Sequence, residues 1–385
     1  MKENTENSIR LPDARNLVLS SSPHLSSSVS DRKIMLQVIF SLLPAVAAGI
    51  WFFGIPALRV ICYCLFFCVG AEAIWCLMNQ KRVWATIGDC SAAVTGILLA
   101  LNLPPGVPFY VPLIGAFLAI WLGKQIYGGL GRNPFNPVLV GRVGLLIALP
   151  ALMTTWSPAR GMDESMPEAK IFGISGSSDS SGLSSATSKR AKDLPEKSEV
   201  VDADIVMTCA TPLGVASTMP ATGKDRFDKI DNKTMWWKYF IGQRGGCIGE
   251  TCVPALLLGA ILLVIFNLIN WRVPVLFAGT VFVITGIVHY FFPEVTPTPV
   301  FHLLTGGLFL GAVFMATDMV TCPITGLGCV WFAIGCGVIT SIIRIWGNYP
   351  EGVSFSILFM NALVPLIDRW CTTRPFGYTR RKEVK

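Results

Sequence analysis

Charge is scarce in this chain. Only 14% of its 385 residues are Asp, Glu, Lys or Arg, against about 25% in an ordinary soluble domain. That shortage excludes a large, solvated globular surface. Histidine is scarcer still, and His24, His289 and His302 are far apart in sequence. Twelve cysteines are present but no Cys-x-x-Cys pair, so no self-contained zinc or iron–sulfur site, and no metal, is expected. No Gly-rich run carries the Lys-Ser/Thr of a phosphate-binding loop. The first 33 residues are polar and mixed in charge, unlike a cleavable signal peptide, and are expected to stay on the chain. The net charge of +7 is modest, and nothing resembles a nucleic-acid-binding face.

What the chain has is apolar length. It is 52% hydrophobic, with a mean hydropathy of +0.57. Ten apolar segments stand out, at roughly 34–53, 55–78, 90–103, 108–127, 135–153, 253–270, 273–292, 300–316, 327–346 and 353–371. This predicts an all-α polytopic membrane protein. The third and eighth segments are short and run into the breakers "NLPPGVP" and "ATDMVTCPITG". Broken helices survive at membrane depth only where protein or a cavity satisfies their backbone. Basic residues flank alternate ends: Arg32 and Lys33, Lys81 and Arg82, Lys124 and Arg132, Arg272, and the tail "RRKEVK". With ten spans all fall on one side, which is then cytoplasmic.

The two halves share a layout. "ILLALNLPPG" followed by "YGGLGRNPFNPVLVG" parallels "VFMATDMVTCPITG" followed by "RIWGNYPEGVSFSILFMN". Five spans per half predicts two inverted repeats with a site between them. The expected organisation is a cytoplasmic tail at 1–33, a first membrane repeat at 34–153, an extracytoplasmic loop at 154–250, a second repeat at 251–371 and a cytoplasmic basic tail at 372–385. Within the loop, 175–188 is Ser/Gly-rich and reads as a linker, with order resuming near Val200.

Polar groups within or at the ends of apolar segments are Glu72, Asp89, Lys124, Arg142, Glu250, Asp318, Arg344 and Glu351. Such groups pair with one another or line a wet path, and the sequence leaves both readings open. Most cysteines read as small buried hydrophobes; a disulfide among Cys209, Cys247 and Cys252 is an alternative for those three. The runs "GGLGRNPFNP" and "GGCIGET" open helices, where free N–H groups can receive an anion or a carbonyl, or serve only as caps.

Five stretches resemble the RnfD family, membrane subunits of the Rnf complex, an ion-translocating ferredoxin:NAD oxidoreductase. They are "GDCSAAVTGILLALNLPP" (88–105), "GKQIYGGLGRNPFNPVLVGRVGLL" (123–146), "GGCIGETCVPALLLGA" (245–260), "FMATDMVTCPITGLG" (314–328) and "RIWGNYPEGVSFSILFMNALVPLID" (344–368). The NqrB membrane component of the sodium-translocating NADH:quinone reductase is a more distant likeness and the alternative assignment. "NPFNP" and the modest N-terminal tail favour the Rnf family. A solute channel or transporter of the same fold, without redox chemistry, is the reading from another class.

The resemblance implies a cofactor. In the family a loop threonine within a Ser/Thr-Gly-Ala-Thr-like motif carries FMN through a phosphodiester bond, and "TCATPLG" matches with Thr211 as acceptor beside Thr208, Cys209 and Ala210. Cys209 stands where the family has Gly or another very small residue. Thr187 in "SSATSKR" is a decoy within the linker. A transferase must reach the hydroxyl, so Thr211 is expected on an exposed loop. The resemblance further implies a non-covalent riboflavin between the repeats. The implied partners are subunits A, B, C, E and G, a flavin transferase for maturation, and membrane lipid in the bacterial inner membrane. Catalysis independent of the complex is not expected. Asp318, Glu351, Glu250 and Asp89 are the candidates for a sodium or proton path.

Overall fold

The computed structural model describes residues 30–162, 211–218, 227–228, 230–347 and 351–372. Thr208, Cys209, Ala210, Thr187, the Ser-rich stretch and most of both tails lie outside the described residues. Every secondary-structure element assigned among the described residues is a helix.

In the first half these are α1 (Asp31–Phe53), α2 (Ile55–Met78), α3 (Val83–Ile87), α4 (Ser91–Leu101), α5 (Tyr110–Phe117), a π-helical continuation (Leu118–Gln125), α6 (Pro137–Ala148) and α7 (Pro150–Met153). Two short helices follow, α8 (Pro212–Thr218) and α9 (Lys233–Ile241). The second half holds α10 (Val253–Ile265), α11 (Arg272–Phe291), α12 (Pro299–Leu304), α13 (Leu308–Leu310) with a π-helical continuation (Gly311–Met315), α14 (Gly326–Trp346) and α15 (Val353–Trp370).

Helices fill all ten apolar segments. Five of them, α1, α2, α11, α14 and α15, are long and apolar enough to cross a membrane. Their outer surfaces are greasy: Phe66 is 73% exposed and Tyr290 82%, a surface that suits lipid and not water. Trp84, Trp346 and Trp370 are exposed at helix starts or ends, as interfacial aromatics are.

Local chemistry sets the boundaries. Ser30 caps α1 by accepting from the Lys33 N–H. Gly54, with φ of +68°, turns α1 directly into α2, a conformation that suits glycine. Asn136 caps α6 by accepting from Val138 N–H at 3.0 Å, with Pro137 as the first helical residue. Thr325 does the same for α14 through Gly328 N–H. α2 packs on α4 and α5, α11 on α12 and α14, α14 on α15, and the first π segment on α6. Across the halves, α1 packs on α10 and α6 on α15.

The two breakers behave as the sequence predicts: α4 stops at Leu101, and the second π segment stops at Met315. Protein groups meet the carbonyls freed there. Gly249 N–H reaches Leu101 O at 2.8 Å and Ile248 N–H reaches Leu103 O at 3.1 Å. Asn136 Nδ2 reaches Met315 O at 3.2 Å. The stretch just before α10 therefore folds back onto the broken end of α4 instead of standing clear of the helices.

Candidate functional site

Three polar groupings lie inside this frame. The first is built around Arg142 on α6, which is 7% exposed. Its guanidinium donates to Asn102 Oδ1 at the end of α4 and pairs with Glu351 in the turn before α15. It also lies 3.7 Å from Cys247 Sγ. Cys247 is fully buried; its Sγ meets Asn102 O at 3.1 Å, and its N–H donates to Glu250 Oε1 at 2.8 Å. The "GGCIGET" run thus holds its own acidic group, the Glu250 side chain. Arg244, 1% exposed, donates to the carbonyls of Glu250 and Leu304. Arg344 donates to His302 O at 2.6 Å and Thr305 O at 3.3 Å. Between them the two arginines serve carbonyls freed where α12 ends, a favourable place for cations.

The second grouping is a hydrogen-bonded chain. Lys124 Nζ, carried by the first π segment, donates to Glu72 Oε1 at 2.5 Å and to Ser91 Oγ at 2.6 Å. Gln125 donates to the same Glu72 oxygen at 2.8 Å. Ser91 Oγ donates to Asp89 Oδ1 at 2.6 Å, and its N–H does so at 2.8 Å. Glu72 is fully buried.

The third is a small cavity of about 120 Å³ between the halves, lined by Ser91, Lys124, Asn133, Asn136, Phe314 and Asp318 among others. Asp318 accepts from Thr321 Oγ1 at 3.2 Å in the breaker after the second π segment. The four sequence-chosen acids therefore separate. Glu250 and Glu351 come together. Asp89 joins Lys124 and Glu72, and Asp318 faces the cavity that Lys124 also lines.

Thr211 is 6% exposed, not open to solvent as the sequence reading expects. Its Oγ1 accepts from Gly214 N–H at 3.1 Å and so caps α8. Leu213, Val215 and Ala216 of α8 are buried with Tyr239 and Phe301. Asp231 fixes the same region by accepting from Trp236 Nε1 at 2.6 Å, Thr298 N at 2.5 Å and Thr298 Oγ1 at 2.7 Å. α8 is thus docked on the second membrane half. A Cβ on Gly214 would lie 3.2 Å from Thr211 Oγ1, so glycine lets its N–H approach the hydroxyl without crowding it.

Of the charges inside apolar runs, Lys124 with Glu72 and Arg142 with Glu351 form ion pairs. Cys247 and Cys252 are free thiols. Arg244, Asn102 and Cys247 are the cluster members that charge-in-apolar-run reasoning does not reach: Arg244 sits in a polar stretch, Asn102 reads as part of a breaker, and Cys247 reads as a loop thiol.

Residues 18–377 match the model of the NQR2, RnfD, RnfE family. The chain is 39% identical over 353 residues, 91% of its length and 93% of the relative's, to the D-type subunit of the ion-translocating oxidoreductase complex of Stutzerimonas stutzeri. It is 39% identical over 367 residues (94% and 96%) to the D-type subunit of the proton-translocating ferredoxin:NAD(+) oxidoreductase complex of Clostridium ljungdahlii. It is 36% identical over 378 residues (96% and 98%) to the D-type subunit of the Na(+)-translocating ferredoxin:NAD(+) oxidoreductase complex of Acetobacterium woodii. On a match that runs through both membrane halves, the chain belongs to the NQR2, RnfD, RnfE family.

Proposed function

We propose that this chain is the membrane electron-carrier subunit of an Rnf-type ion-translocating ferredoxin:NAD(+) oxidoreductase, with FMN held covalently on Thr211. The observation that carries the reading is the seat of Thr211. The residue singled out as acceptor caps a helix docked on the second membrane half. When bound there, the flavin supplies the redox chemistry, while the protein anchors and tunes it. Thr211 provides the ester oxygen, and burial of Leu213 and Val215, about 1.5–3 kcal/mol for each side chain, holds the attachment point against α12. Because Thr211 is buried once α8 docks, the transferase acts before docking.

The architecture that goes with this function is ten segments in two inverted repeats, supported by corresponding helix pairs in the two halves: α2 on α5 with α11 on α14, and α6 on the first π segment with α15 on α14. The loop at 154–250 then faces outward and both tails are cytoplasmic. The relatives' names place them in multi-subunit complexes, and subunits A, B, C, E and G are the partners this reading takes from the family resemblance. The relatives also differ in ion, one named for protons and one for sodium, so the coupling ion is not fixed by the family. Riboflavin between the halves requires more than the cavity of about 120 Å³, since sites for ligands of that size span roughly 300–1,000 Å³. No step is assigned to it.

The test is in-gel flavin fluorescence after denaturation. The chain is co-expressed with an exported FMN transferase as wild type, Thr211→Val and Thr187→Val. A fluorescent band in wild type and Thr187→Val, lost in Thr211→Val, is the expected result. A dark wild-type band, or a band that survives Thr211→Val, contradicts the assignment.

A further inference from the structure

Two carboxylates, the buried Glu250 and the 13% exposed Glu351, lie in the Arg142 cluster. Arg142 is bonded to Glu351. Glu250, only 2% exposed, spends Oε1 on the Cys247 N–H, and its Oε2 has no hydrogen-bond donor among the described residues. Glu351 likewise has one oxygen bonded to Arg142 and the other, Oε1, without a donor among them. Oxygens of the two carboxylates lie within 4.8 Å of each other. Gly307 packs against both groups: a Cβ on it would stand 3.1 Å from Glu250 Oε2 and 3.7 Å from Arg142 Nη1. Arg142 Nη1, which donates to Asn102 Oδ1, therefore lies within 6.8 Å (3.1 + 3.7) of the free oxygen of Glu250.

The other charges around the pair are Arg244 and Arg344, with His302 and the Cys247 thiol nearby. Both arginines donate to backbone carbonyls, and Arg142 is bonded to Glu351. Carboxylates this close, one of them buried, titrate together.

We propose that Glu250 and Glu351 form a single one-proton site on which Arg142 is the positioning residue. With the guanidinium on Glu351, the proton resides on the Glu250 carboxyl. When the guanidinium turns across Gly307 to Glu250 Oε2, the proton passes to Glu351. One O–H bond breaks as another forms, and the cluster keeps its charge. Asn102 extends the site to the broken end of α4, and its Nδ2 lies 4.0 Å from Met315 Sδ at the end of the other break. The site does not depend on the flavin assignment, although its use in coupling rests on the proposed function.

The experiment is infrared spectroscopy of the carboxyl C=O region on the full chain purified within its complex. Wild type is compared with Glu250→Gln, Glu351→Gln and the double variant at neutral pH. The expected result is a protonated-carboxyl band in wild type that disappears in either single variant, because the remaining carboxylate then has Arg142 to itself and ionises. The double variant should match both singles. A band that survives in one single variant means two independent carboxyls and overturns the proposal. If the variants fail to assemble, wild type alone decides against it by showing no protonated-carboxyl band. Because no flavin is read, failure here is separate from failure of the Thr211 assignment.

Discussion

At the scale of single residues, the buried ion pairs dominate. Lys124 and Glu72 are 2% and 0% exposed, so each depends on the other. Removing one partner of a buried pair strands a charge and costs about 3–5 kcal/mol, whereas replacing both by apolar groups is often neutral. Lys124→Met should therefore lose about that much stability in detergent thermal unfolding, and Lys124→Met with Glu72→Leu should regain most of it. Equal loss in the single and double variants would show that the pair does not set the stability of this region. The individual charges here are legible in sequence because they interrupt apolar runs. Their partners are not. Glu72 and Lys124 lie 52 residues apart, and Arg142 and Glu351 209 apart, so only the folded contact decides pairing. Thr211 shows the opposite limit. Its type and neighbours are visible in "TCATPLG", but its burial depends on Leu213 meeting Phe301, a contact that no local pattern encodes.

At the scale of elements, close helix approach rests on a few glycines. A Cβ on Gly123 would stand 2.8 Å from Pro137 Cα and 3.3 Å from Pro137 O. Backbone cannot yield there as a flexible side chain can. The first π segment and α6 meet at this point, and the π geometry brings Lys124 and Gln125 to Glu72. Gly279 on α11 has nothing within 4 Å. Gly123→Ala should therefore destabilise by about 1–3 kcal/mol, the usual cost of overpacking. Gly279→Ala should be neutral or stabilising by up to about 1 kcal/mol from helix propensity. Thermal unfolding of the two variants checks the contrast, and equal behaviour would refute the packing argument. Helix existence was legible throughout, since apolar length and Pro/Gly breakers announce it. The π turns were not, because they arise from packing at α6 and α15 and leave no spacing signature.

At the scale of the whole molecule, the helix that Thr211 caps docks on the second half, one polar cluster lies within the first half, and the Arg142 cluster joins the two. Neither element alone explains an ion-translocating oxidoreductase subunit. An electron carrier without a charge-handling interior does not couple, and a polar interior without a carrier does not respond to electrons. Reducing a carrier adds negative charge, and a nearby cation compensates it strongly where the dielectric is low. Asp318 and Asp89 belong to one side of this arrangement, and Glu250 and Glu351 to the other. That division was hidden in the sequence, where all four read alike as acids near segment ends.

The most direct measurement is electron-driven ion uptake by the assembled complex in liposomes, with reduced ferredoxin and NAD(+) supplied, comparing wild type with Thr211→Val. Thr211→Val should abolish electron flow and ion uptake together while the complex still assembles. Ion uptake that continues with electron flow in the Thr211→Val complex would contradict it.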